Sequence, residues 1–316
     1  MILLALLACT AGPRDSAAPP VPPEGDPDPG WYSLDPLPTP LQEVAVLAVD
    51  DTVWVLGGFD DGLRVVDTVW IWDGTSWEPG PPLPEPAHHL NAAVVDGSIV
   101  IAGMLTGTGF TPSGRVWTLD PGEAGWAEAP ALPEPVGAAA TGALGTDVLL
   151  AGGLRGGTLG TAWRYDTLTG TATSLPDLPL AADHAVGVGG AEVLVVGGRE
   201  GGIAGIQPDV YAWTGTAWEE RAPMLTARAG AAGCVLADGR IWVAGGEGNP
   251  LDPDGVFAEV EVYDPAADAW TSEAPLPTPR HGTGAAPWRG GVLVPGGAVV
   301  QGFRAVDTVE WWVPGL

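Results

Sequence analysis

The sequence predicts an all-β fold made of six repeated units, each of four short strands. Three observations carry this. An apolar run ending in a small-residue pair recurs at residues 53–58, 99–103, 148–153, 193–198, 241–246 and 292–297, at intervals of about 45–51 residues. After each run come a variable loop, a strand carrying an aromatic residue and, in most units, a second aromatic. No stretch sustains a helical period, and Gly and Pro punctuate the short strands throughout.

Taken in order, each unit opens with a strand of small residues. The second strand ends in the Gly pair, which suits a backbone that needs positive φ or a close approach to a neighbour. The third strand carries Trp72, Trp117, Tyr165, Trp213 or Tyr263, and the fourth carries Trp77, Trp126, Trp218 or Trp270. The third unit has no Trp to follow Tyr165. Most units then reach a Pro-Leu-Pro turn or a variant, such as Pro82-Leu83-Pro84 and Pro275-Leu276-Pro277. A single four-stranded sheet cannot bury its own faces, so the Trp residues are expected between adjacent sheets. The chain holds 15 Trp, which need packed sites and argue against disorder despite 48 Gly and 33 Pro.

The two ends of the repeat are each incomplete. The last unit stops at "VDTVEWWVPGL", residues 306–316, without a fourth strand. Residues 31–40, "WYSLDPLPTP", are a Trp followed by Pro-Leu-Pro with no unit before them. The N-terminal segment is therefore expected to supply the fourth strand of the last sheet, which removes an open edge and closes a ring.

The Gly pair after four apolar residues, the Trp-Asp or Tyr-Asp steps (Trp72-Asp73, Tyr165-Asp166, Tyr263-Asp264), the later Trp and the Pro-Leu-Pro turn resemble the kelch repeat, as does Arg280-His281-Gly282 at a strand opening. The resemblance covers residues 31–316. It implies a six-bladed kelch-type β-propeller, with the last blade closed by an N-terminal strand. Departures are Ala102-Gly103 in place of a Gly pair, the missing Trp of unit three, and a strand-opening Arg only at Arg228 and Arg280.

Ahead of the repeats, "MILLALLACTAG" holds an apolar run too short to span a bilayer. Its Leu6-Leu7-Ala8-Cys9 resembles the lipobox of bacterial lipoprotein signal peptides, which implies a signal segment over 1–9 and a lipid on Cys9. An ordinary secretory signal or an unprocessed apolar terminus is the alternative. Residues 10–30 are Pro-rich, acidic and poor in large apolar side chains, as expected of a disordered tether. Thr10 is not the Asp that resembles an inner-membrane retention signal, so the expected location is the cell envelope, lipid-anchored to the outer membrane on its periplasmic or external side.

Net charge is −27, and all twelve cationic side chains are Arg. This disfavours a nucleic-acid partner, whose binding rests on cationic patches, and none is expected. Cys9 and Cys234 are the only cysteines, so the fold is not a disulfide scaffold, and Cys234 reads as a buried free thiol. No zinc, phosphate-loop or nucleophile motif is present, and no catalytic residue, metal ligand or cofactor is assigned. A kelch-type copper oxidase is disfavoured for want of a His pair in suitable loops. Asp252 and Asp254 in "NPLDPDG", like "FDDG" at 59–62, read as polar turns. His88, His89 and His184 read as hydrogen-bonded strand-end residues.

Six Arg fall on the face formed by the loops after the Gly pairs and by the starts of the small-residue strands: Arg64, Arg155, Arg199, Arg228, Arg280 and Arg304. Arg228 and Arg280 are expected to point into a central funnel, with Arg155, Arg304 and His281 contributing, and to hold a carboxylated partner. Pairing of each Arg with a nearby acid is the alternative. Function is therefore read as a lipid-anchored binding module presenting this face to a protein or an anionic glycan. A sugar-acid mutarotase or epimerase-like enzyme, and a structural envelope protein with no ligand, remain alternatives.

Overall fold

A computed structural model describes residues 27–315; the expected signal segment, Cys9 and nearly all of the tether lie outside them. Six sheets of four principal strands form the blades of a propeller. Blade one runs Ala45–Val49, Thr52–Leu56, Val69–Trp72 and Trp77–Pro79 from axis to rim, antiparallel throughout. Within a blade the inner strand descends from the loop face and the second strand returns to it. The third descends again and the outer one returns. The connections after each second strand, and those joining one blade to the next, therefore share one face.

The last blade is split, as the chain ends imply. Gly30–Ser33 pairs antiparallel with Val309–Val313, setting Trp31 opposite Trp312 and Ser33 opposite Glu310. Leu34 and Leu37 follow the strand into the core between blades six and one.

Each apolar cluster lies between two neighbouring blades. One joins Val53, Val55 and Trp72 of blade one to Leu293, Trp288 and Trp311 of blade six, and another joins Trp242 and Val262 of blade five to Trp312 and Val292. The core is thus six interfaces, and a blade on its own would expose both faces.

The outer edge of every interface carries a side-chain hydrogen bond of the same kind. Trp77, Trp126, Trp218 and Trp270 donate their indole N–H groups to the carbonyls of Asp35, Pro81, Pro176 and Ala222, each in the preceding blade. Trp31 makes the same bond to Ala274 across 243 residues of chain. Blade three lacks the Trp, and there the Tyr165 hydroxyl donates to Pro130 at 2.8 Å. The exception in the sequence pattern is a substitution that keeps the bond.

The Gly pair works nearer the axis. Gly57 and Gly58 have φ of 60° and 97°. The Gly58 N–H donates to the Ala87 carbonyl of the next blade at 2.8 Å, and a Cβ on Gly57 would collide with that same carbonyl. Both readings of the pair, positive φ and close approach, hold at once. The bond recurs from Gly153, Gly198, Gly246 and Gly297. In blade two Gly103 keeps the first position, but Met104 takes the second and the strand Ser98–Thr106 runs through with a bulge.

Removing residues 30–37 deletes the closing strand together with buried Leu34 and Leu37. Each Leu is worth about 2–5 kcal/mol, against a typical total of about 5–15 kcal/mol. Thermal melting should fall sharply for this deletion and stay unchanged when residues 10–26 are removed. Equal melting of the two proteins would contradict the split blade.

Candidate functional site

The inner strands begin at the axis on the loop face. There one residue per blade takes a left-handed backbone: Glu43, His89, Ala138, His184, Gly230 and Gly282, with φ between 49° and 63°. This turns each N–H sideways to the carbonyl of the corresponding residue one blade back. Glu43 donates to Gly282 at 2.5 Å, His89 to Glu43 at 3.1 Å and Ala138 to His89 at 3.0 Å. His184 donates to Ala138 at 3.2 Å, Gly230 to His184 at 2.8 Å and Gly282 to Gly230 at 3.0 Å. Six backbone hydrogen bonds therefore close a ring around the axis. Four of its members are not glycine, and each such left-handed residue costs about 1–3 kcal/mol.

The ring brings three polar side chains together. His89 Nε2 lies 2.9 Å from His184 Nε2 and 3.1 Å from a Glu43 carboxylate oxygen. His184 Nδ1 meets the Asp183 carboxylate at 2.6 Å, and His89 Nδ1 meets His88 Nδ1 at 2.5 Å. Burial pushes His88 down to about 4 and holds His89 well below the usual imidazole range, so both rings are neutral at pH 7. Burial alone would raise Asp183. Its contacts with His184, Thr158 and Arg199 outweigh that and keep it below the ordinary value.

Around this core runs a circuit of charge. Arg199 reaches Asp183 at 3.0 Å, pairs with Glu247 and touches His184 Nε2 at 3.2 Å. His281 donates from Nε2 to the Val300 carbonyl at 2.9 Å, while its Nδ1 faces Glu43 at 3.6 Å and Glu247 at 3.9 Å. Glu43, Asp183 and Glu247 are set against one guanidinium, so the floor is acidic.

Phe110 and Phe303 line the funnel, with Phe59 buried behind them. Phe59, Phe110 and Phe303 are three of the four Phe in the chain. Phe59 sits 5.2 Å from Phe303 and 4.3 Å from His88, and Phe110 sits 5.4 Å from His89, centroid to centroid. The funnel encloses about 200 Å³, and beneath the ring an axial channel adds about 100 Å³. A larger cavity, about 910 Å³, opens on the opposite face between blades four and five, among Leu194, Ile241 and Tyr263, remote from this chemistry.

Arg228 and Arg280 do not point into the funnel, which corrects the expectation for them. Both are fully buried between blades, paired with Glu261 at 2.7 Å and Glu310 at 2.5 Å. The equivalent positions in the other blades are Leu41, Ala87, Val136 and Ala182, all buried. The two Arg thus occupy apolar slots, and burial presses the Arg280 guanidinium below its ordinary value while Glu310 holds it up. Their partners were legible. The third-strand position held by Trp70, Trp117, Trp163 and Tyr211 in blades one to four is Glu261 and Glu310 in the two blades that carry the Arg.

The remaining Arg divide differently. Arg155 pairs with Glu134 at 2.5 Å, and Arg64 with Asp60, whose carboxylate also caps its own loop. Arg304 is exposed and reaches Gln42 through its backbone N–H. Of the expected ligand-binding residues only His281 stands in the funnel, with Arg199, which the face reading had included. Asp252 accepts from the Asp254 N–H in a polar turn, and Cys234 is a buried free thiol whose burial pushes it up, away from reactivity. The convergence of Glu43, His89 and His184 escaped sequence reading. Stacking the six units on their inner strands places all three in one column, and that signal was available.

The comparisons agree with this architecture. The Kelch motif family matches at residues 40–84 and 228–277. Kelch-like protein terF of Aspergillus terreus is 32% identical over 301 residues, spanning 88% of this chain and 65% of that protein. This is a kelch-repeat β-propeller. Kelch-like protein 36 of Bos taurus is 36% identical over 95 residues, 29% of this chain and 15% of its own length. Beta-scruin of Limulus polyphemus is 41% identical over 85 residues, 27% and 9% of the two chains. The kelch chain thus spans well under two thirds of these last two relatives and just under that share of terF. The solved structure of YjhT superposes with a TM-score of 0.73 at 16% identity, covering 87% of this chain and 95% of its own, and shows the shared fold.

Because each buried Arg is held by one carboxylate, removing a single partner leaves an uncompensated buried charge. Glu310→Ala should lower stability to chemical denaturation by about 3–5 kcal/mol. Arg304→Ala, on the exposed loop, should stay within about 0.5 kcal/mol of the parent. A Glu310→Ala protein as stable as the parent would show that the pair does not hold the blades.

Proposed function

We propose that this propeller is a protein-interaction module that docks a partner on its loop face and is held at the outer membrane by a lipid on Cys9. What supports the docking reading is the distribution of exposed apolar side chains. Among the described residues six large ones are exposed: Leu63, Leu168, Leu180, Leu225, Leu251 and Phe303. Five of them stand on loops of the one face, Leu251 at 93% exposure; Leu168 alone sits at the opposite end, in the turn between third and outer strands. Loops on a rigid scaffold are where binding surfaces are built, and five of the six exposed apolar side chains stand on the loops of this face.

The acidic floor bears on the choice of partner. Glu43, Asp183 and Glu247 oppose a carboxylated ligand, and the Arg offered to one are mostly paired internally. A protein with an apolar contact patch fits this face better than an anionic glycan, and the sugar-acid enzyme reading loses its cationic funnel.

Photo-crosslinking side chains placed at Leu251 and at Phe303 should each trap an adduct of one discrete mass in cells, while the same group at Leu168 should trap none. Equal trapping at all three positions, or none at the first two, would remove the docking face.

The anchor has its own test. Cys9→Ser should move the protein from the membrane fraction to the soluble fraction. Triacylation holds a protein firmly where a single chain binds marginally. A mutant that remains membrane-bound would remove the lipoprotein reading and leave the docking face standing.

A further inference from the structure

We propose that Glu43, His89 and His184 bind one divalent transition-metal ion at the floor of the funnel. The argument begins with protons, assigned from the hydrogen-bond network. His88 Nε2 lies 3.0 Å from the Gly107 carbonyl, which only accepts, so this nitrogen carries the hydrogen. His88 Nδ1 and His89 Nδ1, 2.5 Å apart, share one hydrogen, and with it on His89 the Nε2 of that ring offers a lone pair. His184 Nδ1 donates to the Asp183 carboxylate, so its Nε2 is bare as well.

Three lone-pair donors therefore converge: His89 Nε2, His184 Nε2 and a Glu43 carboxylate oxygen, all within 4.8 Å of one another. With the hydrogen so placed, no N–H lies between His89 and His184 or between His89 and Glu43. Arg199 donates to His184 Nε2 at 3.2 Å, a hydrogen bond that the ion would replace, and serves neither His89 nor Glu43. Lone pairs held this close repel unless a cation stands among them.

The surroundings fit a dication. Glu43, Asp183 and Glu247 carry three negative charges against one on Arg199, a balance of two negative charges. The far nitrogen of each histidine is anchored, His184 by Asp183 and His89 by His88, as metal-ligating imidazoles usually are. Two imidazoles and a carboxylate suit Zn²⁺ or Fe²⁺, and three protein ligands leave a position open. That position faces the funnel beneath Phe110 and Phe303. The backbone supports the same reading. Gly230 and Gly282 hold the ring without strain, whereas Glu43, His89 and His184, like Ala138, adopt the left-handed conformation at a cost, and the first three thereby bring polar side chains to the axis.

The test uses the full chain, stripped with a chelator and titrated with Zn²⁺ and with Co²⁺. One equivalent of each should bind, Co²⁺ should show visible ligand-field bands, and excess Zn²⁺ should raise melting by mass action. Glu43→Gln and His184→Gln should abolish stoichiometric binding while near-ultraviolet dichroism from the Trp residues stays unchanged. Asp183→Asn should weaken it by about 10–100-fold, through loss of the anchor on His184. If either substitution at a ligand unfolds the protein, the other and Asp183→Asn still decide. Absence of stoichiometric binding by both ions would overturn the proposal, as would binding undiminished in these variants. Nitrogen NMR of the stripped protein showing His89 or His184 doubly protonated at pH 7, with no metal uptake, would assign the site to a proton instead.

Discussion

The ring of six backbone hydrogen bonds at the axis is the constraint from which the rest of the structure follows. Each blade presents one N–H and one carbonyl to its neighbours there, and the chain of donors closes on itself. A closed ring admits no missing member, so every blade must bring a residue to the same height with the same left-handed turn. The sequence has to supply glycine at those positions or accept strain, and it does both.

The interfaces outside the ring repeat one design in three radial layers. Nearest the axis the Gly pair bonds to the next blade, then the apolar strands interlock, and at the rim an indole or phenol bonds back to the preceding blade. The rim bond depends on a donor at one place rather than on a residue type, which is why Tyr165 replaces a Trp without loss. The Arg–Glu pairs of blades five and six show the same tolerance in the middle layer. An ion pair fills the space that an aliphatic and an aromatic side chain fill elsewhere, provided both members change together.

This division explains what the sequence could and could not disclose. Gly pairs, paired aromatics and Pro-Leu-Pro turns recur because each is required by an interface inside every repeat. A linear reading therefore finds them, together with the half-units at residues 31–40 and 306–316 that announce the split blade. The Glu43, His89 and His184 cluster takes one residue from each of three blades, so no spacing motif encodes it. Only the symmetry of the ring joins them. Arg228 and Arg280 were misjudged for a related reason. A residue opening an inner strand lies near the funnel in projection, but its side chain enters the wedge between blades, where Glu261 and Glu310 wait on third strands some thirty residues on.

The closing strand Gly30–Ser33 has a mechanical consequence. It enters from the face opposite the loops and runs along the rim of blade six, hydrogen-bonded to Val309–Val313 over its whole length. Tension on the N-terminal segment, opposed by a partner seated on the loop face, would act along that strand. Bonds loaded lengthwise share the force and yield together, whereas bonds peeled from one end yield singly. The same seam that closes the ring is therefore oriented to resist a pull on Gly30 directed away from the loop face.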